Sequence, residues 1–239
     1  MSKLNVDQKN IRLLLADKKA DFLIPDYQRP YAWSEEECQT LWEDIFDFAI
    51  PGGDATNFNS EEEYYLGPIV TFKNEKNKLE VIDGQQRLTT LMLLLRAFHI
   101  SFGEMRDENS KKIKEMIESC IWKTDEFGNA NKDLLKIDSE VATDKDKDEF
   151  LSILNTGTAP FTMKSKYAEN YRYFQKKIDE FLHSYPGYFS YLPARILNNV
   201  VFAIFCCFVD LFSQQWLVYT NIPKNASTFF NFFKNFYRP

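Results

Sequence analysis

The sequence predicts an α+β fold, a small mixed sheet followed by a mostly helical region, and three observations carry that expectation. Tyr64 to Phe72 (YYLGPIVTF) and Leu79 to Ile82 read as strands joined by the polar turn KNEKNK, hence a hairpin. The polar stretch Asp83-Gly84-Gln85-Gln86-Arg87 then opens LTTLMLLLRAFHI, in which Leu88, Leu91, Met92, Leu95 and Phe98 mark a strongly buried helix. Further on, Met163, Tyr167, Tyr171, Phe174, Ile178 and Phe181 step by four or three, the spacing of a helix with one apolar face. A chain of 239 residues and 28.2 kDa is long enough for one well-buried core or two modest domains.

Taken in order, the first helix is expected from about Val6 to Asp17, on Ile11, Leu14 and Leu15. The only apolar stretch near the start, Ile11 to Ala16, is interrupted by Arg12, so no signal peptide is expected. Phe22 to Trp33 reads as a short strand leading into an ordered loop, because Pro25 and Pro30 each remove a backbone donor and bias the residue before them towards extended backbone. Ser34 followed by Glu37 is a capping box that starts a helix, carried by Cys38, Leu41, Trp42, Ile45, Phe48 and Ala49 until Pro51-Gly52-Gly53 stops it. Asp54 to Glu63 is expected to be a mobile polar loop, and Gly67-Pro68 an edge or bulge feature of its strand.

From Gly103 to Glu149 the texture changes to helices separated by exposed acidic loops, with short apolar pieces at Ile113 to Ile121 and Leu134 to Ile137. Pro186-Gly187 ends the long helix and a short one follows at Tyr191 to Asn198. Val200 to Val209 is apolar but stops at Asp210, well short of the roughly 20 residues that cross a bilayer, so it reads as a buried strand or helix and no membrane is expected. From Val201 onward 12 residues are Phe, Tyr or Trp, the composition of a small satellite core, a partner interface or an altered chain end. The expected organisation is a core over 1–102, a helical region over 103–200 and an atypical aromatic-rich segment over 201–239.

With 29 Lys+Arg against 35 Asp+Glu the net charge is −6, which excludes nucleic-acid binding by a whole-chain basic field. Cys38, Cys120, Cys206 and Cys207 contain no CxxC, and His99 and His183 are the only histidines, so there is no readable zinc set and a reduced, cytoplasmic setting is expected. His99 reads as structural and His183 as the end of a helix.

Asp83-Gly84-Gln85-Gln86-Arg87 is the segment richest in chemistry. Gly84 permits a tight turn and close backbone approach by a ligand, the carboxylate suits a divalent cation, the guanidinium matches phosphate oxygens, and two amides can orient water or a base. The structural alternative is a strand-to-helix turn in which Asp83 caps the helix and Arg87 makes a surface ion pair. The second cluster is Ile24-Pro25-Asp26-Tyr27-Gln28-Arg29-Pro30-Tyr31, where a stiff backbone presents Arg29 to an anion and Tyr27 or Tyr31 either stacks on a ring or packs. Both arginines follow short strands, so they are expected to face one anion pocket at the sheet edge.

IPDYQRPYAW, YYLGPIV and VIDGQQRLTTL, in this order, resemble the N-terminal domain of the GmrSD-type modification-dependent restriction proteins over about residues 10–100. The resemblance implies a ParB/sulfiredoxin-like core that binds and hydrolyses a nucleoside triphosphate and regulates an anti-phage DNA-restriction system. It does not choose among GTP, CTP, UTP and ATP. Asp83, Gly84, Gln85, Gln86 and Arg87 match the family signature, Tyr27, Gln28 and Arg29 match the cluster after the first strand, and Leu66, Gly67 and Ile69 match the strand before the signature. In phosphoryl-transfer terms Arg29 and Arg87 brace the phosphates, Asp83 holds Mg2+, and Gln85 or Gln86 orients the attacking water. Where the family continues to an Asn-x-Arg-Gly turn, this chain has AIFCCFVDLFSQQ. Two histidines are too few for an HNH-type metal site, so a nuclease domain or subunit is expected to be supplied elsewhere.

Two other classes fit the residues. A ParB-like DNA-binding module would use Lys164, Lys166, Arg172, Lys176 and Lys177, with Lys166, Tyr173 and Lys177 as one exposed stripe diluted by Glu169, Asp179 and Glu180. A catalytically inactive regulatory fragment would pair with a nuclease partner through the aromatic C-terminal segment. Self-association is compatible with each reading.

Overall fold

The computed structural model describes residues 3–103 and 105–208. The chain opens with strand β1 (Lys3–Asn10) and the short helix α1 (Ile11–Leu15), then β2 (Phe22–Ile24) and α2 (Glu35–Ala49). Strands β3 (Tyr64–Lys73) and β4 (Leu79–Asp83) lead into α3 (Gln85–Ser101) and α4 (Glu108–Ile121). Three short strands follow, β5 (Trp122–Thr124), β6 (Ala130–Leu135) and β7 (Ile137–Ser139). Helices α5 (Lys147–Thr156), α6 (Lys166–Ser184) and α7 (Tyr191–Asn199) precede the last described strand, β8 (Val200–Phe208).

Six strands form one sheet in the order β1-β8-β3-β4-β2-β7, and β5 with β6 forms a separate ribbon. The sheet is mixed: β3 pairs antiparallel with β4 and parallel with β8, while β2 runs parallel to both β4 and β7. The fold is therefore α+β, with most of the sheet contributed early and helices dominating later. Strands β7 and β8 lie beyond the composition shift near residue 103, so both sides of that shift complete one sheet.

Helix α3 is buried around its whole circumference, with Leu88, Leu91 and Leu93 to Leu95 inaccessible and α4 and α6 packed against it. That all-round burial is why its sequence reads as a solid apolar block and not as a stripe. Helix α2 starts where the capping box places it: the Glu37 carboxylate accepts from the Ser34 amide at 2.7 Å and from its hydroxyl at 2.5 Å. Helix α6 is capped by Ser165, whose hydroxyl accepts from the Ala168 amide at 3.2 Å.

Two expectations need correction, and a third is settled between its alternatives. Residues 6–10 belong to a strand, not to the first helix, because they pair antiparallel with β8, Gln8 opposite Ala203 and Asn10 opposite Val201. Asn10 instead caps α1, its side-chain oxygen accepting from the Leu13 amide at 2.8 Å. The piece from Leu134 to Ile137 is two strands and not part of a helix; between them Lys136 is buried, its ammonium donating to the carbonyls of Leu15 (2.7 Å) and Asp17 (2.8 Å). Gly67-Pro68 lies at a bulge, since the β3–β8 register shifts between Tyr65 and Gly67, but β3 is an interior strand and not an edge.

The loop over 54–63 is held at its carbonyls. Arg195 ties it to the end of α2, donating to Ala55 and to Ala49, and Asn199 donates to Ser60 at 2.9 Å and Glu62 at 3.1 Å. The apolar run from 200 becomes the buried strand β8; the aromatic-rich stretch beyond it lies outside the described residues. No helix among the described residues is long and apolar enough to cross a membrane.

Candidate functional site

Strand β4 ends on Asp83 and the chain turns through Gly84 at φ +93 before α3 begins. A Cβ at Gly84 would stand 2.9 Å from the Pro68 carbonyl oxygen and 3.1 Å from the Ile69 side chain. The left-handed backbone bears out the tight turn expected of this glycine, and β3 fills the side on which a Cβ would stand. No side chain caps α3, so its first-turn amides keep the partial positive charge of a helix N-terminus. Asp83 does not cap the helix either. Its carboxylate, about half exposed, lies 4.0 Å from Nη2 of Arg87, at the limit of an ion pair.

The two polar clusters interlock. Gln28 crosses to the end of β4, its side-chain amide donating to the carbonyls of Val81 at 3.2 Å and Ile82 at 3.0 Å. From the other side Gln86, 7% exposed, accepts from the Ala32 amide at 2.7 Å and donates to the Pro30 carbonyl at 3.2 Å. Four hydrogen bonds therefore join the strand-to-helix turn to the segment carrying Tyr27 and Arg29. The two clusters are joined at this point by two glutamines acting on backbone.

The remaining side chains divide by what they touch. Arg87 lies over Gly67, where a Cβ would come within 3.1 Å of Nε, and its Nη2 donates to the Pro68 carbonyl at 2.7 Å. Among the described residues its Nε is buried without a partner, an orphan donor on a guanidinium that is otherwise anchored. Gln85 is as buried as Gln86 yet makes no side-chain hydrogen bond among the described residues. Arg29 is exposed beside Tyr27, which is 62% exposed. The Tyr27 phenol is pushed up to about 12, first by partial desolvation and then by the carboxylates of Glu80 and Asp26. Tyr31 packs: its ring stacks on Tyr167 at 4.6 Å, and its hydroxyl meets Thr90 at 2.6 Å and Asn170 at 2.9 Å.

Asp83 is the carboxylate at the turn, and among the described residues no three His, Cys, Asp or Glu side chains gather as a metal cage. A single carboxylate is nonetheless the donor set that Mg2+ commonly takes from protein when phosphate oxygens and water complete its octahedron. His99 is structural. Its Nδ1 meets Arg96 at 2.7 Å and its Nε2 meets Glu118 at 2.8 Å, and burial holds its pKa at about 4.

The exposed stripe expected on α6 is corrected. Tyr173 is buried beneath Lys177, whose ammonium sits 5.9 Å from the ring, and Lys176 and Lys177 both pair with Glu180. Lys166 turns the other way and donates to the Ala32 carbonyl at 2.6 Å, on the same peptide segment that Gln86 holds. Between Pro30, Tyr31, residues 143–146 and the first turn of α6 lies a cleft of ≈ 270 Å³. Asp144 forms its floor, bonded to the Tyr31 amide at 3.4 Å and the Tyr167 hydroxyl at 2.5 Å. Sequence reading missed this cleft, because its walls come from three segments far apart in the chain.

No curated protein matches the chain. The family model described as the N-terminal domain of GmrSD restriction endonuclease matches residues 11–236, well beyond the three segments that carry the resemblance and through the stretch AIFCCFVDLFSQQ. With an interlocked DGQQR turn at its centre and a match over most of its length, the chain belongs to the GmrSD N-terminal domain family.

Proposed function

We propose that this domain binds a nucleoside triphosphate at the DGQQR turn and hydrolyses it in a Mg2+-dependent reaction that regulates a DNA-restriction system. Family membership supports the restriction or antiviral role. The observation that carries the nucleotide reading is the four-bond interlock, because it engages Gln28 and Gln86 on backbone and fixes the segment that carries Arg29 against the turn that carries Asp83, Gln85 and the anchored Arg87 at an uncapped helix N-terminus. That set offers two guanidinium groups and a helix dipole to a polyanion.

In this reading Arg29, on an exposed loop, and Arg87, with Nε unpartnered among the described residues, brace phosphate oxygens. Asp83 would hold the magnesium ion, which when bound neutralises charge on the phosphoryl oxygens. Gln85 orients the attacking water, since Gln86 has both polar atoms engaged. Tyr27 and Gly84 complete the nucleotide surface, Tyr27 as an exposed ring beside the arginine and Gly84 as the turn that sets the helix against β3. The core around the turn is read as ParB/sulfiredoxin-like, and the nuclease as an HNH-type domain or subunit supplied elsewhere.

The test is turnover of GTP, CTP, UTP and ATP by purified protein with and without Mg2+, alongside modified and unmodified DNA. Hydrolysis of at least one triphosphate that requires Mg2+ and disappears in Asp83→Ala supports the reading. Triphosphate turnover unaffected by Asp83→Ala, or metal-dependent DNA cleavage that this substitution abolishes, refutes it.

A further inference from the structure

Away from the DGQQR turn, the loop leading into α6 carries a second arrangement that the proposed triphosphate chemistry does not use. Phe161 is 81% exposed, yet its ring is not loose: the Arg172 guanidinium lies over one face, 5.4 Å from the centroid. Arg172 is itself fixed, its Nη1 shared among the carbonyls of Ala159 at 3.2 Å, Pro160 at 3.2 Å and Met163 at 3.3 Å. The loop is thus wound around one arginine, which holds an aromatic ring with its outer face in water. An exposed ring braced in this way has already lost the freedom that stacking would otherwise cost.

The loop itself is cationic. Residues 157–168 (GTAPFTMKSKYA) contain Lys164 and Lys166 and no acidic residue, and the nearest carboxylate along the helix is the exposed Glu169. Lys145 and Lys166 line the cleft described above together with Asp144 and Asp146, so its lining is charge-balanced and the loop's excess cation is Lys164. A flat ring on a guanidinium, with Lys164 and Lys166 following it closely along the chain, offers a polynucleotide a stacking face and phosphate partners.

We propose that this loop and the first turn of α6 form a stacking platform for single-stranded polynucleotide, with Phe161 taking a base and Lys164, Lys166 and Lys145 the flanking phosphates. The platform adjoins the DGQQR turn through one residue. The Ala32 amide donates to Gln86 and the Ala32 carbonyl accepts from Lys166, so a strand that draws Lys166 to a phosphate frees the carbonyl of the residue whose amide Gln86 holds. Because the chain carries a net charge of −6, this local patch works against the overall field and its affinity must fall steeply with salt.

The experiment is fluorescence anisotropy of a labelled oligothymidylate titrated with the whole chain, without triphosphate, over a series of salt concentrations. Wild type is expected to bind at low salt, and Phe161→Ala to weaken binding about tenfold, the loss of one stacked base. Lys164→Ala should lower the slope of log affinity against log salt by about 0.7, one phosphate of a single strand. Phe127→Ala is the control, since Phe127 is 83% exposed on a different turn and should change nothing. Both aromatics are exposed, so circular dichroism should report an unchanged fold in either variant. Absence of binding at low salt, equal affinity in wild type and Phe161→Ala, an equal loss in Phe127→Ala, or duplex DNA bound as tightly as the single strand would each overturn the platform. The triphosphate reading stands or falls separately, because the assay contains none.

Discussion

Exchanging the two adjacent glutamines for alanine, one at a time, separates frame from chemistry. Gln86→Ala removes the acceptor of the Ala32 amide and the donor to the Pro30 carbonyl, bonds of 2.7 and 3.2 Å around a side chain that is 7% exposed. Leaving a buried polar group unsatisfied costs about 1–3 kcal/mol, so two partly buried groups imply a loss of about 2–4 kcal/mol. For a domain of this size that corresponds to a fall in Tm of about 4–16 °C. Gln85→Ala removes an equally buried amide that makes no side-chain hydrogen bond among the described residues, and should cost less than about 1 kcal/mol. Hydrolysis should respond in the opposite order once temperature is set below both transitions, with Gln85→Ala losing turnover while nucleotide affinity changes little. Differential scanning calorimetry and a phosphate-release assay on the same preparations read both quantities. Equal losses of Tm in the two variants, or a Gln86→Ala protein with wild-type stability and no turnover, would refute the division of roles.

Arg87→Ala should leave the fold largely intact and weaken triphosphate binding, whereas Leu91→Ala, at a fully buried position of α3, should lower stability by about 2–5 kcal/mol; isothermal titration and urea unfolding distinguish them. His99 has a folded pKa of about 4 against an ordinary value of 6.5, so the unfolded chain binds a proton first as pH falls. The stability it contributes is complete above about pH 6.5 and is lost progressively towards pH 4, and the urea midpoint of His99→Gln should vary less with pH over that window than that of wild type. Gly157→Ala places a methyl group 2.5 Å from Ile100 Cδ1 and 2.6 Å from Arg96 Nη2, at φ +71, and should reduce Tm measurably where an alanine at the open, exposed Gly187 does not.

What the sequence could and could not reveal follows from the range of each interaction. The β3–β4 hairpin, the buried α3 and the apolar face of α6 are local patterns, legible from residues a few positions apart. Strand β1 is not, because NVDQKN carries no alternation and its partner strand lies almost 200 residues away. Strands β6 and β7 are short and polar, and only the burial of Lys136 between them makes that stretch intelligible. At the site, Tyr27, Gln28, Arg29 and the DGQQR residues were visible as reactive types. Which of them serve as frame was not, since the roles of Gln28 and Gln86 depend on backbone carbonyls and a backbone amide rather than on any neighbouring side chain.

The position of β8 between β1 and β3 has a consequence for how the chain is made. Synthesis proceeds from the N-terminus, so β1 waits without a partner, and β3 keeps one flank open, until the ribosome has released residues 200–208. Helix α3 and the hairpin can collapse early from nearby contacts, but closing the sheet is a late event of high contact order. A nascent chain stalled before residue 200 would expose two adjacent strand edges at once, the condition under which intermediates associate with one another. In cells this domain should therefore depend on chaperones most during the interval between the emergence of α6 and that of β8, and ribosome profiling of chaperone occupancy would place that interval on the message.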